Sequence, residues 1–374
     1  MKVGIMTMHR VQNVGSVLQA YALQHKMEQL GYEAEQIDYV FPPQREKHFS
    51  PIDIVNWGWN ALHGFPIKRK NQKLESFRSH FLRCSEHTYY TREELLSNPP
   101  KYDIYCTGSD QVWNPRHVGD DTSFMLDFAP VGFPRMAYAS SFASQDIEEP
   151  YFSLYSKHLN KYDQITVREK SGAAIVKRMT GKDAKVTCDP TLLLTSEEWE
   201  PVSSLSNITT KKDYILVYLL SYMFDPCPGF YNIVKAVQRA TGLPVYLFNG
   251  YTKDRLYLRS IKYLGLGPAD LVRLVKNSSF VITDSFHGTA FATIYNKPMI
   301  GVVKDENNGD GRIATLRNIV GGGNSVVCYN KELKELSGDT SFYQCSNERL
   351  EDVRCKSILE LNKMLLKCKE LSNS

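Results

Sequence analysis

The stretch KVGIMTMHRVQNVGSVLQAYALQHKMEQLGYEAEQIDYV, Lys2 to Val40, decides the fold. Lys2 to Thr7 is a short apolar strand that runs into a turn-rich loop holding Asn13 and Gly15. From Ser16 onward Val17, Leu18, Tyr21, Leu23, Met27 and Leu30 recur at helical spacing, and Gly31 supplies the stop. YEAEQIDYV then alternates as a second strand. Strand, loop, helix and strand in under about 45 residues make one parallel βαβ unit.

The same cycle returns further along. Residues 41–98 interrupt it with an irregular helical insertion, in which tryptophans stand beside a basic cluster. Strands are then expected at Asp103 to Thr107, at Met136 to Ala139, in DQITV and in KVTC, with a helix after VREKSG. These elements predict a doubly wound sheet over a first domain, residues 1–206. The polar run NITTKKD opens a second domain, residues 207–345, of the same Rossmann-like kind. Its strands are DYILVYLL, LPVYLF, FVITDS and KPMIGVV, with helices between them. Residues 346–374 form a long amphipathic helix. The expected fold is therefore α/β, two Rossmann-like doubly wound domains in tandem facing a central cleft, with the site at strand-exit loops.

Composition narrows the function. The chain has 374 residues, 42% hydrophobic and 23% charged, with a net charge of +4, an ordinary globular balance that two domains would suit. A nucleic-acid binder shows a denser basic face, so no nucleic-acid partner is expected. The eight cysteines are scattered, with neither a C-x-x-C pair nor a histidine at zinc-ligand spacing, which predicts free thiols and no metal. No apolar run reaches the ~18 residues of a membrane span, and the start MKVGIMTMHRVQNVG is too short for a secretory signal; a cytoplasmic protein is expected.

The candidate chemistry lies in the exit loops. His287 follows the strand FVITDS and opens a helix with Gly288 and Thr289, a position that favours a bound anion. A buried structural histidine is the competing reading.

NVGSVLQAYALQ, YCTGSDQVWN, VREKSG, CDPTLLL and ITDSFHGTAFATIYNKPMI occur here in an order and spacing that resemble the polysaccharide pyruvyl transferase family, over residue 1 to about residue 320. The resemblance implies a fold of the glycosyltransferase B kind, phosphoenolpyruvate as donor and a sugar as acceptor, with no cofactor and no metal. It implies that His287 is the general acid and that Arg168 binds the donor, with Ser285, Gly288 and Thr289 beside it. Better-studied members read Arg-Leu-His where this chain has Ser285, Phe286 and His287. Lys304 and Arg312, past the next strand, are the cations placed to replace the missing arginine.

Short polar groups in the first domain suit sugar hydroxyls: Asn13, Gly15 and Ser16 in the first exit loop, and Gly108, Ser109, Asp110 and Gln111 in the second. Asp110 is a candidate base or orienter for the attacking hydroxyl; an ordinary Gly-Ser-Asp turn is the alternative. The Asp-Pro turn at Asp189 is read mainly as fold. Trp57, Trp59 and Phe65 beside Lys68, Arg69, Lys70 and Lys73 suit peripheral contact with anionic lipid at about residues 57–73, which a lipid-linked acceptor at the inner membrane face would explain. A solvated helical insertion is the plainer account. Two rival functions stand beside the main one: a nucleotide-sugar glycosyltransferase of the same fold class, and a non-catalytic saccharide-binding member.

Overall fold

In the computed structural model the described residues are 1–41, 51–211, 213–220, 224–248, 258, 260–304, 311–331 and 340–372, with side chains of 51–65, 340 and 342 left out. Two six-stranded sheets, parallel throughout, carry the chain. The contacts divide it into two compact units. Unit 1 comprises residues 1–46, 78–194 and 352–374; unit 2 comprises 47–77 and 195–351.

The first sheet holds β1 (Lys2–Met6), β2 (Glu33–Gln36), β3 (Ile104–Thr107), β4 (Arg135–Ser140), β5 (Gln164–Val167) and β6 (Lys185–Val186), in the order β2-β1-β3-β4-β5-β6. The opening βαβ unit forms as its pattern predicts, with the helix Val14–Gln29 crossing from β1 to β2. Asn13 caps that helix by accepting from Gly15 N at 2.8 Å. β3 and β4 are buried along their whole length, as expected of strands covered on both faces.

The second sheet holds β7 (Ile215–Tyr218), β8 (Val245–Phe248), β9 (Ser260–Tyr263), β10 (Phe280–Thr283), β11 (Met299–Val303) and β12 (Val326–Cys328). Its order, β12-β11-β10-β7-β8-β9, is the 3-2-1-4-5-6 order of a dinucleotide-type sheet read from the other edge. Each unit has its own apolar core, with Trp113 and Phe142 central to the first and Phe230, Ile282 and Val302 to the second.

The insertion at residues 41–98, expected to be helical but irregular, contains one long helix, Pro51–Phe81, with Pro66 inside it. Its part within unit 2 is tied there by Lys73, whose ammonium donates to Asp270 Oδ2. Gly265 and Gly267 let the following loop lie against that helix, since a Cβ on Gly265 would meet Pro66 O at 2.9 Å. Of the aromatic and basic cluster, the side chains of Trp57, Trp59 and Phe65 lie outside the described residues; Lys68 and Arg69 are exposed. The final helix, Asn347–Ser372, is built as its pattern predicts, and its residues from Asp352 belong to unit 1.

Candidate functional site

A doubly wound sheet binds ligands outside the carboxyl ends of its strands where the strand order reverses. In unit 1 that point lies between β1 and β3. The chain leaving these strands carries Asn13 with Gly15 and Ser16, the cap and first turn of the helix after β1, and Gly108 to Gln111 in the loop after β3, the two sets singled out in the sequence. Asp110 joins them. Its Oδ2 accepts from Ser16 Oγ, its Oδ1 accepts from Gln111 N at 2.9 Å, and its carbonyl accepts from Ser141 N at 3.1 Å. Its φ of 80° is left-handed, and Ala139, near the end of β4, and Ala143, just past it, both have φ of 49°. Three non-glycine residues in this region at one sheet edge are a local cost of the kind that clusters at functional sites.

Other members of the set have local work. Gly108 is closely packed: a Cβ there would stand 3.0 Å from Thr7 Cβ. Ser109 Oγ lies 2.8 Å from Ala139 O and 3.1 Å from Asp189 Oδ2. Gln111 Oε1 accepts from Asn114 Nδ2 at 2.8 Å and faces His117 Nε2 at 3.2 Å, so its amide is held in one orientation. Arg168 is inside the protein, its side chain 2% exposed, and Nη1 donates to Asp189 Oδ2 at 2.8 Å. Asp189 in turn accepts from Thr191 N at 3.0 Å through Oδ1, which caps the turn Pro190–Leu193. Thus Arg168 is a member of a buried polar network, a placement that its charged neighbours Glu169 and Lys170 in sequence do not reveal.

In unit 2 the order reverses between β7 and β10, and His287 follows β10. The helix Phe286–Ile294 is buried along its whole length. Ser285 caps it, accepting from Gly288 N at 3.2 Å, and Thr289 Oγ1 donates to Ser285 O at 3.1 Å. Both hydroxyls therefore serve the helix start. Gly288 is a packing residue: a Cβ would stand 2.5 Å from Thr283 Oγ1 and 3.0 Å from the Tyr218 ring. Thr283 Oγ1 donates to Tyr218 O at 2.6 Å and accepts from Ser285 N at 3.0 Å, which fixes the strand-to-helix turn under His287. His287 is 6% exposed, its ring edge-on to Phe286. Lys304 is exposed, whereas Arg312 is buried at the entry of the helix Gly311–Ile319.

Sequence spacing gives no metal-ligand set, yet the fold gathers one. His9, Asp38 and Cys84 present donor atoms that all lie within 4.8 Å of one another. They come from the exits of β1 and β2 and from the segment after the long helix, so no local motif could have announced them. Burial alone would raise the Asp38 carboxyl, but hydrogen bonds from His9, Arg10 and Thr88 outweigh it and hold it well below the usual carboxylate range. Burial pushes the Cys84 thiol up to about 12.

A family model described as polysaccharide pyruvyl transferase matches residues 13–305. No curated protein matches the sequence. Among solved structures, MnaA of S. aureus, in a co-structure with UDP, is 13% identical with a TM-score of 0.56, covering 98% of this chain and 97% of that one. UDP-N-acetylglucosamine 2-epimerase from Rickettsia bellii is 10% identical with a TM-score of 0.55, covering 100% and 98%. The Methanocaldococcus jannaschii UDP-GlcNAc 2-epimerase is 11% identical with a TM-score of 0.54, covering 94% and 91%. These likenesses show the fold, which is of the glycosyltransferase B kind.

Proposed function

The chain belongs to the polysaccharide pyruvyl transferase family, and from that premise we propose that it moves the pyruvyl group of phosphoenolpyruvate onto a sugar of a surface-polysaccharide precursor, forming a cyclic ketal and releasing phosphate. A lipid-linked acceptor, met at the inner face of the membrane, is part of the proposal; no described helix is long and apolar enough to cross one. The observation that carries the reading is the seat of His287, at the order reversal of a dinucleotide-type sheet and at a helix start.

The chemistry asks for an acid there. Protonating the methylene carbon of the enol phosphate makes its neighbour an oxocarbenium-like centre. One sugar hydroxyl adds and gives up its proton; phosphate leaves; the second hydroxyl adds and gives up its own. One of those two protons replaces the one supplied by the acid, and the other departs with phosphate. His287 is the proposed acid, since imidazole suits proton transfer near neutral pH. The positive helix end beside it favours the donor's anionic groups, and Arg312, with Lys304 further out, is the proposed replacement for the family arginine absent at Ser285. Asp110 is the proposed orienter of an acceptor hydroxyl, with Ser16, Asn13 and Gln111 around it in unit 1.

The test is thermal unfolding with and without phosphoenolpyruvate, beside a nucleotide sugar. Ligand at a hundredfold excess over its dissociation constant adds about 2.7 kcal/mol of stability. A shift with phosphoenolpyruvate that survives in His287→Ala, with phosphate release slowed by about 10²- to 10⁴-fold, supports the assignment. A shift with the nucleotide sugar alone overturns it in favour of glycosyl transfer, and binding of a saccharide with no response to either donor favours a non-catalytic role.

A further inference from the structure

We propose that His9, Asp38 and Cys84 form a binding site for one divalent transition-metal ion, zinc by the chemistry of its donors. This goes beyond the transfer reaction, none of whose proposed residues is a ligand.

The three donor segments are bound to each other by backbone. Gln36 bridges Cys84 and Tyr39 bridges Tyr89 in parallel fashion. Gln36 N donates to Arg83 O at 2.8 Å, Ser85 N to Gln36 O at 2.8 Å, and Ile37 N to Ile5 O at 2.8 Å. Donor atoms within 4.8 Å of one another are therefore set by sheet-like pairing and do not depend on long flexible side chains.

His9 is fully buried. Its Nδ1 lies 3.3 Å from Thr7 O, and its Nε2 lies 3.1 Å from Asp38 Oδ1. Both oxygens accept only, while a neutral imidazole carries a single N–H. A neutral imidazole meets one of them with its proton: with the proton on Nδ1 toward Thr7 O, Nε2 turns its lone pair toward Asp38 Oδ1, which also accepts from Arg10 Nε at 2.6 Å, and a cation fits between the two. Metal-bound histidines donate their other N–H to a carbonyl or carboxylate. The Nδ1 contact with Thr7 O is that arrangement. The 3.1 Å between Nε2 and Oδ1 is also close to the roughly 3.3 Å edge of a tetrahedron whose metal bonds are about 2.0 Å.

One thiolate, one imidazole and one carboxylate suit zinc better than a hard cation. The outer shell is in place, since Asp38 Oδ2 accepts from Thr88 Oγ1 at 2.7 Å and from Arg10 Nη2. Coordination replaces the thiol proton of Cys84, which passes to solvent. The bound ion staples the exit loops of β1 and β2 to the segment after the long helix, and the β1 loop is the one that leads to Asn13 and Ser16.

Cobalt(II) titration of the full chain carrying Cys355→Ala, which removes the exposed thiol, is the direct test. A thiolate-to-cobalt charge-transfer band is expected, and Cys84→Ser should abolish it. Zinc affinity should fall by more than the roughly 10- to 100-fold that losing an outer-shell partner costs. No band, or a band unchanged by Cys84→Ser, overturns the proposal. If Cys84→Ser does not fold, X-ray absorption on the zinc-loaded unmodified chain decides. One sulfur at about 2.3 Å with nitrogen and oxygen at about 2.0–2.2 Å supports the site; a sulfur-free shell, or zinc lost on gel filtration, overturns it.

Discussion

Arg168 stands where sequence and structure pull in different directions. The motif VREKSG offers it as a donor-binding cation, and the fold buries it against Asp189. Removing one partner of a buried pair leaves the other charge uncompensated, at a cost of about 3–5 kcal/mol. Arg168→Ala is accordingly expected to lower the denaturation midpoint steeply with no donor present, as measured in urea. A variant as stable as wild type that has lost only its response to phosphoenolpyruvate would instead give Arg168 the donor-binding part that the sequence suggests. What the sequence made legible at this scale was position: His287 and Asp110 both fall at exit loops where the strand order reverses. What it hid was engagement, because the hydroxyls of Ser285, Thr289 and Ser109 read as free ligands in a string of letters and are held by neighbours in three dimensions.

Among elements, those with strong periodicity were legible, such as the opening βαβ unit and the strand–helix–strand run from Phe280 to Val303. β9 and β12 were not, being edge strands of four and three residues whose burial is partial. The insertion was legible as helical but not as one long helix, because Pro66, Gly58 and Gly64 break its propensity, while tertiary packing around Lys73 holds its C-terminal part. Two predictions belong here. Gly288→Ala forces a methyl against Thr283 Oγ1 and Tyr218, and overpacking of that kind costs about 1–3 kcal/mol; a smaller loss in thermal unfolding would mean the helix start can shift away from the sheet. The second concerns the helix Tyr151–Leu159, whose His158 is buried. Burial lowers its pKa below the ordinary value near 6.5. The unfolded chain then binds the proton first, so this contribution is complete above about pH 6.5 and is lost as pH falls towards the folded value. His158→Gln should flatten the decline in stability as pH falls below about 6.5, seen as a difference between the two pH–stability curves.

For the whole molecule the consequential feature is that the chain enters unit 1 three times. The last entry is the least visible in sequence, since an amphipathic tail shows an apolar face without showing what covers it. Here the cover is specific: Arg354 Nε donates to Leu192 O at 2.9 Å, Ser357 Oγ accepts from Cys188 N at 3.1 Å, and Lys185 pairs with Glu360. Leu361, Met364 and Leu365 are buried on the same helix. Each such side chain contributes about 1.5–3 kcal/mol when buried, so the three together rival the roughly 5–15 kcal/mol net stability of a domain. A chain ending at Leu194 is therefore expected not to fold, although it contains every strand of the first sheet. Joining residues 347–372 to that fragment through a flexible linker should restore a cooperative thermal transition, read by circular dichroism. If the shorter fragment melts cooperatively by itself, the tail is dispensable to unit 1, and the burial of its apolar face needs another explanation.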